Sequence, residues 1–258
     1  MHEIGNLFGE LGAVSLDEMN ERASLQRRTD NKYLVEIEGL ASLVDKLGDG
    51  HEVLEIDGER VFEYESTYFD TGSLRCLREH IDDRRPRFKT RTRCYVTTGD
   101  CFFEVKVKQA DGETTKRNLD YDPDERSTVV PRARQLLEGV LEDCGLDPPD
   151  DLRPSLVTSF SRVTVVARER PERTTFDFCV SLSAPGGDSA QLDKGYVIAE
   201  TKTADGDGAW DRALADRGCD PISLSKYRIG AGLLRAPDDD GDYARELKRL
   251  FEVGAPSR

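Results

Sequence analysis

Residues 87–93 read Arg-Phe-Lys-Thr-Arg-Thr-Arg, so Arg87, Lys89, Arg91 and Arg93 alternate with Phe88, Thr90 and Thr92. Successive side chains of a strand point to opposite faces, so this spacing gathers four cations on one face. Arg offers a planar fork and Lys a mobile point charge, and both suit phosphate oxygens. The pattern recurs in weaker form along the chain. In "CFFEVKVK", Glu104, Lys106 and Lys108 share a face opposite Phe103, Val105 and Val107. In "RTTFDF", Arg173, Thr175 and Asp177 share a face, and in "VIAETKT" Glu200 and Lys202 share one with Ile198. Arg162 lies mid-strand in "SFSRVTV", Lys226 lies in "SLSKYRIG", and Lys32 follows Arg28 and Asp30 at alternate positions.

Same-face neighbours on a strand lie about 7 Å apart. At an effective dielectric near 20, each like-charged pair at that distance costs about 2 kcal/mol. Water and salt reduce the cost well below about 1 kcal/mol, so a solvated sheet face tolerates the pattern. A closed barrel does not, unless carboxylates or a bound polyanion compensate. The residues alone leave both readings open.

The elements that must carry these residues are strands with helices around them. "FEYESTYFDTG" reads as a strand ended by Asp70-Thr71-Gly72, and "SLRCLREHIDD" as a short helix with Ser73 as its N-cap. The run from Cys101 to Tyr121 reads as a hairpin turning at residues 110–113. Glu38 to Leu47 and Pro131 to Gly145 carry helical patterns, "GAWDRALADRG" is a short helix, and "YARELKRLFEV" predicts a helix at the C-terminus. The strand spacing suits antiparallel pairing better than repeated βαβ units, which predicts an α+β fold with a large antiparallel sheet or barrel.

Bulk properties narrow the function. The 258-residue chain has a net charge of −14, so its global field repels nucleic acid and any anion site must be local. No apolar run is long enough to span a membrane, and no secretion signal is legible at the N-terminus. Cys76, Cys94, Cys101, Cys144, Cys179 and Cys219 form no CxxC pair, which predicts reduced thiols and a cytoplasmic protein. His2, His51 and His80 lie outside the charged strands and are expected at the surface or in packing. "DDDGD" at 238–242 lacks a glutamate at the twelfth position of a calcium loop, where Arg249 stands, and reads as a linker.

Taken in order, "RRTDNKYLV", "YESTYFDT", "RFKTRTRCY", "FFEVKVK", "SFSRVTV", "RTTFDF", "VIAETKT" and "SLSKYRIG" resemble the motifs of the VTC domain, the polyphosphate polymerase domain of the vacuolar transporter chaperone type. That family belongs to the triphosphate tunnel metalloenzymes and is related to CYTH proteins. The resemblance implies an eight-stranded antiparallel β-barrel tunnel over residues 26–235, with peripheral helices. A helical arm at 1–25 would precede it, and an acidic linker with a C-terminal helix at 236–258 would follow. It assigns phosphate binding and catalysis to Lys32, Arg91, Arg93, Lys106, Arg162, Arg173 and Lys226. Lys89, Lys108 and Lys202 match further substrate-binding positions. Glu200 matches the metal-binding glutamate, and Glu104 is a second candidate because its side chain should face inward beside Lys106.

The chain departs from the wider superfamily in places. The ExExK motif of the CYTH branch is replaced by Arg28-Thr29-Asp30-Asn31-Lys32, which fits the VTC branch and removes carboxylates for a second metal. Phe160 stands where a tyrosine often precedes the arginine, and Ser223 stands where eukaryotic relatives carry a first of two lysines. The activity implied is transfer of the terminal phosphoryl group of ATP to inorganic polyphosphate with Mn²⁺ or Mg²⁺. A tripolyphosphatase or nucleoside triphosphatase of the same fold, and a non-catalytic polyphosphate-binding module, are the alternatives. ATP and inorganic polyphosphate or triphosphate are the expected partners, nucleic acid is not, and a separate membrane partner is compatible with the sequence.

Overall fold

The computed structural model describes residues 2–23, 28–236 and 249–254. Its helices are α1 (His2–Leu7), α2 (Leu16–Arg22), α3 (Ile37–Leu47), α4 (Arg75–Ile81), α5 (Pro131–Asp143), α6 (Ala209–Ala215) and α7 (Lys226–Leu234). Its strands are β1 (Gly12–Val14), β2 (Thr29–Glu36), β3 (His51–Leu54), β4 (Phe62–Asp70), β5 (Arg87–Tyr95), β6 (Cys101–Lys108), β7 (Thr114–Asp120), β8 (Arg153–Ala167), β9 (Arg173–Ser183), β10 (Ser189–Leu192), β11 (Tyr196–Thr203) and β12 (Phe251–Gly254). The fold is mixed α+β with a large antiparallel sheet, as the strand spacing predicts. Among the described residues β7 pairs only with β6 and β2 only with β11, so the ladder has open edges.

The chain divides into two compact units. The first comprises Met1–Phe62, Phe160–Cys179 and Asp193–Leu224. Its sheet runs β2–β11–β9, each pair antiparallel. One face of that sheet carries Tyr33 and Val35 of β2, Val197 and Ala199 of β11, and Phe176 and Phe178 of β9. These bury against Phe8, the α3 residues Leu40, Leu43 and Val44, and the α6 residues Trp210 and Leu214. Alternation therefore leaves Asp30, Lys32, Arg173, Thr175, Asp177, Glu200 and Lys202 on the opposite face.

The second unit comprises Glu63–Ser159, Val180–Leu192 and Ser225–Arg258. Here β4–β5–β6–β7 form an antiparallel meander. Phe88, Thr90 and Thr92 of β5 are buried on one face, with Phe103, Val105 and Val107 of β6. Helix α5 packs over β6 and β7. Pro131 fits its first turn because the fixed φ matches the helix, and Ala133, Leu137, Val140 and Leu141 form the buried stripe at helical spacing.

Several local expectations need correction. Helix α4 is capped by Asp70 and Thr71 rather than Ser73. The Asp70 carboxylate accepts from the backbone N–H of Thr71, Cys76 and Leu77 at 2.8, 2.8 and 3.1 Å, and Thr71 Oγ1 accepts from Arg75 N–H at 3.0 Å. Two carboxyl oxygens can answer several orphan helix donors at once, which a single hydroxyl does not. Lys226 opens a helix. Ser225 accepts from Arg228 N–H as an N-cap and starts α7 at Lys226. Phe251–Gly254 is strand and not the end of a helix, because it pairs with β10; most of the rest of that predicted helix lies outside the described residues. Cys94 and Cys101 are bonded as a disulfide, which corrects the expectation of reduced thiols throughout. The β5–β6 register sets the two residues opposite one another, a proximity that spacing along the chain does not reveal.

Candidate functional site

The face of the first unit's sheet opposite its apolar core is a polar wall. Register sets Glu200 of β11 between Lys32 of β2 and Thr175 of β9, and Lys202 between Asp30 and Arg173. Glu200 Oε1 lies 2.7 Å from Lys202 Nζ and 3.8 Å from Lys32 Nζ. Burial raises the Glu200 carboxyl, but Lys202, Lys32 and Arg162 outweigh it and hold the group well below the usual carboxylate range. Burial, with Arg162 adding to it and Glu200 opposing it, brings the Lys202 ammonium down to about 8. Arg162 is clamped by Asp177 in a two-pronged pair, Nε to Oδ1 at 2.6 Å and Nη2 to Oδ2 at 2.9 Å, and its guanidinium lies over the Phe160 ring at 5.0 Å. Arg173 is pulled below its ordinary value first by burial and then by Arg28 and Arg162. Its Nε and the neighbouring Thr175 Oγ1 are both buried and have no hydrogen-bond partner among the described residues.

The reverse side of this wall is tied down by Asp211. Its Oδ1 accepts from Tyr33 OH at 2.6 Å, Thr201 Oγ1 at 2.6 Å and Asn31 Nδ2 at 2.9 Å, and its Oδ2 accepts from Gly208 N–H at 2.9 Å. One carboxylate at the start of α6 thus fixes β2 and β11, the two strands that present Lys32, Glu200 and Lys202.

The second unit builds a separate wall. Register sets Arg91 of β5 between Tyr68 of β4 and Glu104 of β6, and Lys106 between Lys89 of β5 and Lys116 of β7. Glu104 is 6% exposed and fully engaged: Arg91 Nε and Nη2 reach Oε2 at 2.7 and 2.6 Å, and Lys116 Nζ reaches Oε1 at 2.5 Å. Burial raises its carboxyl, but Arg91, Arg93 and Lys116 hold it far below the usual range. Arg91 Nη1 also donates to Tyr68 OH at 2.7 Å. Burial raises the Tyr68 phenol, yet Arg91, Arg93 and Lys226 leave it below its ordinary value. The Tyr68 ring stacks on Tyr227 at 5.0 Å, and Tyr227 OH donates to the buried Asp70. Lys89 Nζ bonds Ser225 Oγ at 3.2 Å and lies over the Tyr227 ring at 5.8 Å. Burial, then Lys106 and Arg87, pull its ammonium well below the usual lysine value. His80 is likewise pushed down to about 3, by burial and then Lys89 and Arg87, so it stands neutral as a packing residue.

Each unit thus gathers paired and partly paired cations on one face of antiparallel strands. The family comparison decides the matter, for the VTC domain matches residues 27–235. The chain belongs to the VTC domain family. No curated protein matches the sequence. Among solved structures the VTC domain resembles the HpAC1 protein from Hippeastrum, described as having a dominant triphosphatase activity, at 15% identity and a TM-score of 0.48 over 80% of this chain and 95% of that one. It also resembles the PH1819 protein from Pyrococcus horikoshii, at 13% identity and a TM-score of 0.43 over 78% of this chain and 93% of that one.

In this VTC domain the predicted residues fall into two groups. Lys32, Arg162, Arg173, Glu200 and Lys202 share the wall of the first unit. Lys89, Arg91, Arg93, Glu104 and Lys106 share the wall of the second, and Lys226 lies near enough to lower the Tyr68 phenol. Lys108 donates to the Gly112 carbonyl and closes the β6–β7 turn, so it serves the hairpin in this state. Sequence reasoning missed Tyr68, Lys116, Thr175, Asp177 and Asp211 as site or supporting residues. The turn at residues 110–113 contained the signal for Lys116, because pairing Lys108 with Thr114 puts Lys116 opposite Lys106. No local signal marks Asp211, whose partners lie on strands distant in sequence.

Proposed function

We propose that this VTC domain is a metal-dependent polyphosphate polymerase. It would transfer the terminal phosphoryl group of ATP to a growing inorganic polyphosphate chain held by basic strand faces. The observation that carries the reading is family membership over residues 27–235 joined to cations gathered on single strand faces. Phosphoryl transfer depends on neutralising charge and aligning nucleophile with leaving group, and needs little covalent help from the protein. The terminal phosphate of a chain is already anionic at neutral pH, so no protein base is required. Arg91, Arg93 and Arg173 supply forked donors, and Lys32, Lys106 and Lys202 supply point charges that follow a moving chain.

The donor set suits an ion carried mainly by the substrate. Among the described residues no three His, Cys, Asp or Glu side chains gather as a metal cage. Glu200 offers one hard carboxylate, and Mg²⁺ or Mn²⁺ characteristically takes one or two carboxylates with phosphate oxygens and water. Bound there, the ion would neutralise phosphate oxygens during transfer. Glu104 is the weaker candidate, because both its oxygens already hold cations.

The test is a product analysis with ATP and Mn²⁺. ADP and long phosphate chains are expected. Orthophosphate as the sole phosphate product would assign hydrolysis, and retention of polyphosphate without turnover would assign a binding module. Glu200→Ala is expected to abolish turnover; full activity in that variant would remove Glu200 from the metal role.

A further inference from the structure

We infer that Thr175 is a phosphate-binding residue, its hydroxyl donating to an oxygen of the bound polyanion beside Arg173. This rests on the anion-binding reading of the first unit and adds a residue to it. Thr175 lies mid-strand on β9, directly opposite Glu200, and is 3% exposed. Its Oγ1 is buried with no partner among the described residues. A buried hydroxyl without a partner is costly, and the usual resolution is a ligand or water that completes its bonds.

The second orphan identifies the ligand. Arg173 Nε, two residues away on the same face, is also buried without a partner. A guanidinium nitrogen only donates, so what it lacks is an acceptor. Two unpartnered donors about 7 Å apart along one strand face match an acceptor-rich chain better than a single small group. Lys202 stands opposite Arg173 and Lys32 opposite Glu200, so the surrounding cations favour an anion. Glu200 makes the same place suited to a phosphate that carries a divalent ion. A condensed phosphate has both the charge and the run of oxygens.

The sign of the effect separates this role from a structural one. Thr175→Val keeps the branched shape and removes the orphaned hydroxyl. The free protein should therefore melt at the same temperature or higher, while tripolyphosphate, titrated calorimetrically without metal, should bind about tenfold more weakly or worse. Thr175→Ser keeps the donor and should bind within about threefold of wild type. Equal tripolyphosphate affinity in wild type and Thr175→Val overturns the inference and leaves the anion site intact. Equal loss in the Ser and Val variants also overturns it, since the hydroxyl is then not the contact. A wild type that binds no tripolyphosphate removes the anion site itself, and the inference with it.

Discussion

Glu104→Gln separates a counter-charge from a metal ligand. In the native wall Glu104 is buried, with Arg91 on one oxygen and Lys116 on the other. At about 2.7 Å and an effective dielectric near 20, the Arg91 contact alone gives an attraction of about 6 kcal/mol, most of it offset by the desolvation of both ions. Removing one partner of such a pair leaves an uncompensated buried charge and costs about 3–5 kcal/mol. For a chain of this size about 3 kcal/mol lowers the melting temperature by about 6–12 °C. The carboxyl is depressed from 4.5, so its stabilisation is complete above about pH 4.5 and fades as pH falls through the lower folded value. The melting gap between wild type and variant should therefore be full at pH 7 and shrink below pH 4.5. Tripolyphosphate can take the place of the lost carboxylate beside Arg91. The variant should bind it more tightly than wild type and show the larger ligand-induced rise in melting temperature. Weaker tripolyphosphate binding, or an unchanged melting temperature at pH 7, would refute the counter-charge argument.

Two further outcomes follow from the same geometry. Lys89 is half-buried among Lys106, Arg87 and Arg91, so Lys89→Met should raise the melting temperature at pH 7 while weakening tripolyphosphate binding several-fold. Its folded value lies below the ordinary 10.5, so the unfolded chain binds the proton more readily and the stability gap should narrow as pH rises toward 10.5; a gap that widens in calorimetric melts contradicts this. Asp211→Asn replaces an acceptor of four hydrogen bonds with a weaker, half-donating amide, and should cost about 2–4 kcal/mol in denaturant unfolding.

What was legible in the sequence is what alternation controls. Odd positions of β5 are half-buried and even ones buried, just as the spacing of Arg87 to Arg93 requires. The antiparallel α+β class follows from the same alternation and the short turns. Register was not legible, because it depends on which strands pair. That pairing brings Glu104 to Arg91, Thr175 to Glu200 and Cys94 to Cys101. Lys226 owes its place to a local signal instead: the Ser225 hydroxyl accepts from Arg228 N–H and starts a helix at Lys226.

The pairing changes the meaning of a basic strand in an acidic protein. From the sequence, the cations of residues 87–93 repel one another and wait for an anion. In the folded protein part of that charge is already answered: Glu104 holds Arg91, Asp177 holds Arg162, and Glu200 draws Lys202 and Lys32. Under the proposed function a polyanion would gain affinity by exchange, replacing carboxylate contacts with its own oxygens. Such exchange would cost little net charge separation at each step, so a phosphate chain could shift along the wall without crossing a state of bare cations. Under that reading Arg173 Nε and Thr175 Oγ1, buried on the first wall without a partner among the described residues, would carry much of the binding.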